Sequence, residues 1–163
     1  MKIFGICGWK NNGKTGLMER LVAEITGRGL RVSTIKHAHH RFDVDQPGKD
    51  SYRHRAAGAI EVLLTSANRF VLMHELRDEQ EPDLNDLLAK MSAVDLVLIE
   101  GFKTAAHPKI EAHRTETGKA LLALEDSSIL AVASNVQLDL DRPVFDLDDT
   151  IGIADFILGE TGL

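Results

Sequence analysis

The octapeptide Gly8-Trp9-Lys10-Asn11-Asn12-Gly13-Lys14-Thr15 constrains the fold more than any other feature, because it matches G-x-x-x-x-G-K-[ST], the Walker A or P-loop pattern. Such a loop works only between a strand and a helix. Its glycines let the backbone wrap closely around phosphate oxygens. Its amides, and the N-terminus of the helix that follows, point at the anion. The flanks have the required character. Ile3 to Cys7 is a short apolar run suited to a buried strand. From Thr15 to Arg28, Leu17, Leu21, Val22 and Ile25 recur at helical spacing, and Gly29 is a natural stop. The motif predicts Lys14 on the β- and γ-phosphates and the Thr15 hydroxyl on Mg²⁺. Gly8, Asn11, Asn12, Gly13, Lys14, Thr15 and Gly16 make up the predicted nucleotide cradle.

The rest of the chain alternates strands and helices. Leu30 to Ile35 reads as a strand, and Lys36 to Lys49 as a long loop holding Pro47 and Gly48. Asp50-Ser51 is expected to cap a short helix that runs to Ala57. Ile60 to Thr65 and Arg69 to His74 read as strands. Pro82-Asp83 opens a helix with Leu84, Leu87, Leu88 and Met91 on one face. Leu96 to Ile99, Lys109 to His113 and Ile129 to Ala133 complete the strand candidates. Thr115 to Gly118 is a turn between two of them. Asp148-Asp149 starts a last helix through Ile153 and Phe156. This order predicts one nucleotide-binding domain over residues 1–163: an α/β, three-layer P-loop NTPase fold with a mostly parallel central sheet and helices on both faces.

Composition narrows the partners. The net charge is -6 and no lysine or arginine block stands out, which argues against nucleic acid and against a membrane surface. Cys7 is the single cysteine, so no internal disulfide can form, and a reducing cytoplasm is the expected setting. The apolar N-terminus is too short for a signal peptide, and no run approaches the roughly 20 apolar residues of a membrane span.

A Walker A loop needs an acid on a neighbouring strand. In Asp95-Leu96-Val97-Leu98-Ile99-Glu100-Gly101, Glu100 stands at the C-terminal end of an apolar strand, the edge where open α/β sheets bind ligands. Glu100 is therefore expected to hold the metal, usually through water, or to orient the attacking water. Asp95, at the other end, ranks below it. Gly101 suits a close backbone approach. The stretch Lys36-His37-Ala38-His39-His40-Arg41-Phe42-Asp43-Val44-Asp45 follows the second strand on the same edge. It reads as a phosphate- and metal-facing loop, as a transition-metal site built on His37, His39 and Asp43, or as a solvated polar loop. In Gly48-Lys49-Asp50-Ser51-Tyr52-Arg53, Asp50 could bind Mg²⁺ and Lys49 or Arg53 phosphate, while helix capping accounts for Asp50 and Ser51 equally well. His54, His74, His107 and His113 are isolated. Cys7 reads as a buried small residue. Trp9 either packs on neighbouring loops or lines a nucleotide or partner surface.

The base is not fixed by these motifs. Guanine-specific GTPases carry N-K-x-D. Here Ser134-Asn135-Val136-Gln137-Leu138-Asp139 has valine after the asparagine, and its acid stands one position too late.

Taken in order, Gly8 to Thr15, Ile35-Lys36-His37-Ala38-His39-His40, Asp43-Val44-Asp45, Pro47-Gly48-Lys49-Asp50-Ser51, Ala57-Gly58-Ala59, Leu98-Ile99-Glu100-Gly101-Phe102-Lys103, Ala131-Val132-Ala133-Ser134 and Asp148-Asp149 resemble the MobB family, molybdopterin-guanine dinucleotide biosynthesis protein B. The resemblance covers nearly the whole chain. It implies a GTP- and Mg²⁺-binding protein with weak intrinsic GTPase activity. It also implies a homodimer acting as an adaptor for the molybdopterin guanylyltransferase of MobA type, and for other molybdenum cofactor maturation proteins. Carried over by position, Gly13, Lys14 and Thr15 hold phosphate and Mg²⁺, with Thr15, Asp50 and Glu100 as the metal's residues and Lys14 and Glu100 as the catalytic pair. His37, Asp43, Asp45, Lys49 and Asp50 line the active edge. One departure stands out: related dimeric ATPases carry a lysine directly after the first loop glycine, where this chain has Trp9, with Lys10 one place later. Arg41 or Arg53, or a partner, is left to supply an arginine finger. The same loop also serves small-molecule kinases and binding modules that do not hydrolyse their nucleotide, and those are the rival readings.

Overall fold

Short apolar runs bounded by glycine and charged residues become strands, and the spacing of leucines sets the helices laid against them. The computed structural model of the chain describes residues 1–38 and 42–163. In chain order the elements are β1 (Lys2–Cys7), α1 (Lys14–Gly27), β2 (Val32–Lys36), α2 (Asp50–Ala56), β3 (Glu61–Thr65), β4 (Phe70–His74), α3 (Leu84–Ala89), β5 (Leu96–Glu100), β6 (Lys109–His113), β7 (Ile129–Ser134), β8 (Val144–Asp146) and α4 (Thr150–Thr161). Short 3-10 turns lie at Thr115–Thr117 and Leu122–Leu124. The described residues gather into two compact units, Met1–His37 with Met91–Leu163, and Ala38–Lys90.

In the first unit six strands form one sheet in the order β2-β5-β1-β6-β7-β8, and every neighbouring pair is parallel. Parallel alignment puts the C-terminal ends of all six strands on one edge, so the segments after them share one rim. β5 and β6, which flank β1, are buried along their whole length, as expected of a sheet covered on both faces. On one face α1 contributes Leu17, Leu21 and Ile25, all fully buried, against Phe4, Ile6, Leu98 and Ile110, and α4 adds Ile153 and Ile157. Each such side chain contributes on the order of 1.5–3 kcal/mol by leaving water. On the other face Cys7, Ile129 and Val132 meet Ala123 in the second 3-10 turn, with Leu138 and Leu140 partly buried around them. α4 starts where Asp149 caps it, its carboxylate accepting from the Gly152 amide at 3.0 Å.

β8 had no counterpart among the strand candidates. It is three half-exposed residues after Pro143, too short to carry a period, and its place is fixed by pairing with β7.

The second unit holds the strand candidates of residues 60–74, which do not join the parallel sheet. β3 and β4 make an antiparallel hairpin of their own, with Glu61 opposite His74 and Thr65 opposite Phe70. α3 opens after Pro82-Asp83 as expected, and Asp83 caps it in a reciprocal capping box with Asp86. The capping expected of Asp50 and Ser51 is corrected: Lys49 is the N-cap of α2 and no side chain caps it. Ser51 instead donates its hydroxyl to Asp45 at 2.9 Å. Among the described residues no helix is long and apolar enough to cross a membrane.

Candidate functional site

The loop between β1 and α1 is shaped by three residues in left-handed or related backbone, Gly8 at φ 132°, Asn11 at 68° and Gly13 at 88°. Gly8 is required for packing as well as for its angle. A Cβ there would come within 2.3 Å of the Ala112 carbonyl oxygen in β6. Gly13 is the N-cap of α1, and the Leu17 amide donates to its carbonyl at 3.0 Å. The Lys14 ammonium crosses the loop and donates to the Trp9 carbonyl at 2.7 Å. Burial holds the Lys14 pKa below the ordinary lysine value, against the upward pull of nearby Glu100. Asn12 is fully buried, yet neither its amide oxygen nor its amide nitrogen has a partner among the described residues. Polar atoms so placed need a hydrogen-bond partner, which water or a bound ligand can supply. Trp9 packs on neighbouring segments, its indole N–H donating to the Ala120 carbonyl at 2.8 Å and the Lys103 ammonium lying 4.5 Å from the ring centre.

Glu100 stands where the strand pattern put it. It ends β5 on the C-terminal edge, in register with Ile6 of β1 on one side and Lys36 of β2 on the other. Its side chain is largely buried, and the Lys36 ammonium sits 3.3 Å from one carboxylate oxygen. Its carbonyl accepts the His37 amide at 2.8 Å. Gly101, at φ 102°, lets that approach happen, since a Cβ there would meet the His37 Cβ at 2.8 Å. The His37 ring stacks on Phe102 with centres 4.6 Å apart. Asp95 is at the opposite edge, where it binds the Arg31 amide and guanidinium, so its work is to pin β5 to the start of β2.

A shallow cleft of about 550 Å³ is lined by Asn11, Gly13, Lys14, Thr15, Glu100 and Arg114. The fold thus brings the cradle and its acid together. Oxygen donors such as the Thr15 hydroxyl and the Glu100 carboxylate suit Mg²⁺, which keeps several waters and takes few protein ligands. Among the described residues no group of three or more His, Cys, Asp or Glu side chains is placed to hold a metal ion. The histidine-rich reading falls partly on His39, His40 and Arg41, which lie outside the described residues.

The other predicted residues belong to the second unit. Lys49 precedes α2 and Asp50 begins it, with the exposed Asp50 carboxylate 3.8 Å from Arg53. Asp43 and Asp45 hold Arg55 by hydrogen bonds of 2.9 and 3.2 Å, and Glu75 holds it at 2.8 Å. The Asp45 amide, then Arg55, holds Asp43 below the usual carboxylate pKa range; Asp45 is held below it against burial, by the Ser51 hydroxyl, the Gln46 amide and Arg55 in that order. Cys7 is a buried structural thiol, pushed up to about 12 chiefly by burial, and so stays protonated.

Arg114 went unnoticed in the sequence. It directly follows β6 on the edge that carries the loop, and its guanidinium lies against Gly13, where a Cβ would sit 3.1 Å from Nε. Among the described residues no carboxylate forms an ion pair with it. Its position after a strand was the signal, readable only once the strand order was known.

Comparison with known proteins agrees with this geometry. The model of the family "Molybdopterin guanine dinucleotide synthesis protein B" matches residues 3–135. The molybdopterin-guanine dinucleotide biosynthesis adapter protein of Escherichia coli strain K12 is 42% identical over 159 residues, covering 96% of this chain and 91% of that protein. The protein of the same name from Haemophilus influenzae is 43% identical over 158 residues, covering 95% and 86%. Among solved structures, Bacillus subtilis MobB superposes with a TM-score of 0.79 at 28% identity, covering 99% of this chain and 98% of that one. A MobB homologue from Bacillus stearothermophilus gives 0.74 at 28% identity, covering 99% of each.

Proposed function

The chain belongs to the MobB family, molybdopterin guanine dinucleotide synthesis protein B, and we propose that it is a Mg²⁺-dependent GTP-binding protein with weak GTPase activity at most. Membership supports an adapter role in molybdopterin-guanine dinucleotide biosynthesis. The observation that carries the nucleotide reading is the juxtaposition of a glycine-shaped loop, bearing Lys14 and Thr15 at the start of α1, with Glu100 at the end of the adjoining strand.

Within this proposal Lys14 leaves the Trp9 carbonyl for the β- and γ-phosphate oxygens, and the loop amides take the remaining charge. The buried Asn12 amide finds its partner in the bound anion or in the loop that closes on it. Thr15 and Glu100 hold the metal, directly or through water. Mg²⁺ held by Thr15 and Glu100 would supply positive charge that offsets the charge developing in phosphoryl transfer. The Lys36 ammonium engages the same Glu100 carboxylate that would orient the attacking water, which fits slow turnover. His37 borders the site from the first unit, where its amide donates to the Glu100 carbonyl, and Lys49 and Asp50 are proposed as phosphate and Mg²⁺ residues from their family positions alone. Residues 1–163 act as one nucleotide-binding domain in a cytoplasmic protein.

The partners proposed are a molybdopterin guanylyltransferase of MobA type and a second copy of this chain. The hairpin β3–β4 supports the second. Leu63, Leu64, Phe70 and Leu72 are each more than half exposed, and neighbours in a strand face opposite ways, so both faces of the hairpin offer apolar surface.

The test is a multiple-turnover phosphate-release assay with GTP and Mg²⁺, using the wild type, Lys14→Ala and Glu100→Gln. We expect slow release by the wild type, none by Lys14→Ala and less by Glu100→Gln. Release by Lys14→Ala at the wild-type rate would rule out this site. Transfer of the phosphoryl group to a small-molecule acceptor in place of water would favour a kinase.

A further inference from the structure

Parallel strands place the ends of β1, β6, β7 and β8 side by side, so a nucleoside that left the loop on the side away from Glu100 would pass over Arg114 towards the ends of β7 and β8. A cavity of about 330 Å³ lies there, lined by Ser134, Asn135, Gln137, Leu138, Phe145 and Asp146 among others. The chain leaving its wall at Asp146 reaches the phosphate cradle one residue later. A Cβ on Gly13 would be 3.1 Å from Arg114 Nε and 3.2 Å from Leu147 Cδ2, and Leu147 is the residue after Asp146. The corner that follows β8 is tied to α1, the helix bearing Lys14 and Thr15. Arg20 donates to the Leu147 carbonyl at 2.7 Å and pairs with Asp148 at 3.2 Å. Cradle and cavity are therefore held on one rigid frame.

The polar groups of the cavity divide into those already engaged and those still open. The Ser134 hydroxyl is shared with the buried His113 ring at 3.0 Å and the Val136 amide at 3.2 Å. The Asn135 amide donates to both oxygens of Glu116 at 2.9 Å, and its oxygen accepts from the Thr115 amide at 3.2 Å. These bonds fix the wall. Asp146, in register with Ser134 across the β7–β8 pair, spends one oxygen on the Asp148 amide at 2.8 Å and keeps the other open among the described residues. The Gln137 amide, on the same wall, also lacks a hydrogen-bond partner among the described residues.

We propose that this cavity is the base subsite and that Asp146, supplied from β8, is the carboxylate that selects guanine. The proposal rests on the reading of the Gly8–Thr15 loop as a triphosphate site. Guanine presents two adjacent donors, N1–H and the exocyclic N2 amine, which a carboxylate accepts side by side. Adenine offers a ring-nitrogen acceptor at that place, which a carboxylate repels. Asp139, one position late for the familiar N-K-x-D spacing, is thereby relieved of the role: the acid arrives from the neighbouring strand. Arg114, which lines the cleft beside Gly13, is then the side chain that meets the α-phosphate and ribose and positions the nucleoside.

The test compares the wild type with Asp146→Asn by calorimetry, titrating GTP, ATP, XTP and inorganic tripolyphosphate with Mg²⁺ present. Asparagine keeps an oxygen for the Asp148 amide, so the corner is preserved. It also offers an N–H₂ that matches the 2-oxo group of xanthine. We expect wild type to bind GTP over ATP. In Asp146→Asn, GTP should weaken roughly 10- to 100-fold, XTP should bind more tightly, and tripolyphosphate should be unchanged. Asp146→Asn that binds GTP as the wild type does would overturn the assignment, as would loss of tripolyphosphate in step with GTP. Wild type that binds neither GTP nor tripolyphosphate would overturn the reading of the loop itself, a result distinct from failure of the base subsite alone.

Discussion

Single residues set the loop by what they exclude. At Gly8 the backbone stands at φ 132° and the space for a Cβ is taken by the Ala112 carbonyl oxygen. Gly8→Ala should therefore cost about 2 kcal/mol or more in urea unfolding and abolish nucleotide binding. Wild-type stability in this variant would show that the loop tolerates a side chain there. His107 carries a second residue-scale consequence. It is buried over Gly5 and neither ring nitrogen has a partner among the described residues. Burial, with the Lys109 charge second, lowers its pKa from 6.5 to about 4. The unfolded chain binds this proton below about pH 6.5, whereas the folded chain refuses it until about pH 4. The contribution to stability is thus fully present above pH 6.5 and is lost as the pH falls towards 4, by about 3 kcal/mol in all. His107→Leu should flatten the fall in urea midpoint between pH 7 and pH 4.5; an equal fall in both proteins would contradict this assignment.

Elements differ in how plainly their sequences announce them. The runs Ile3 to Cys7 and Leu96 to Ile99 are apolar and bounded by turn or charged residues, and both become central strands. α1 is legible because Leu17, Leu21 and Ile25 fall on one face, and all three are fully buried. Leu21→Ala should accordingly cost about 2–5 kcal/mol in equilibrium unfolding, and a cost near zero would mean that α1 is not docked as described. β8 escaped notice because three half-exposed residues carry no period; its partner β7 defines it. The place of Glu100 on the C-terminal edge was legible because a core strand ends on it. Arg114 and Asp146 were not, since nothing local distinguishes a charged residue after one strand from another. Only the order β1-β6-β7-β8 sets Arg114 and Leu147, the residue after Asp146, beside Gly13, and strand order is a long-range property that periodicity does not carry.

At the scale of the whole molecule, the chain has one unit with a parallel sheet that carries a glycine-rich loop and a second unit in which the hairpin β3–β4 packs on α2 and leaves much apolar surface exposed. An isolated two-stranded hairpin is marginal in water, and one with apolar side chains on both faces gains most from a partner. Phe70→Glu combined with Leu72→Glu should convert the proposed dimer to a monomer in light scattering while leaving GTP affinity in place. A dimer that survives both changes would move the interface elsewhere. The central claim is that the Gly8–Thr15 loop, with Glu100 beside it, binds GTP with Mg²⁺. Equilibrium titration of GTP into the purified protein, with and without Mg²⁺ and in parallel with Lys14→Ala, tests it most directly. The account predicts saturable one-to-one binding that weakens without the metal and disappears in Lys14→Ala. No binding by the wild type, or equal binding by Lys14→Ala, would contradict it.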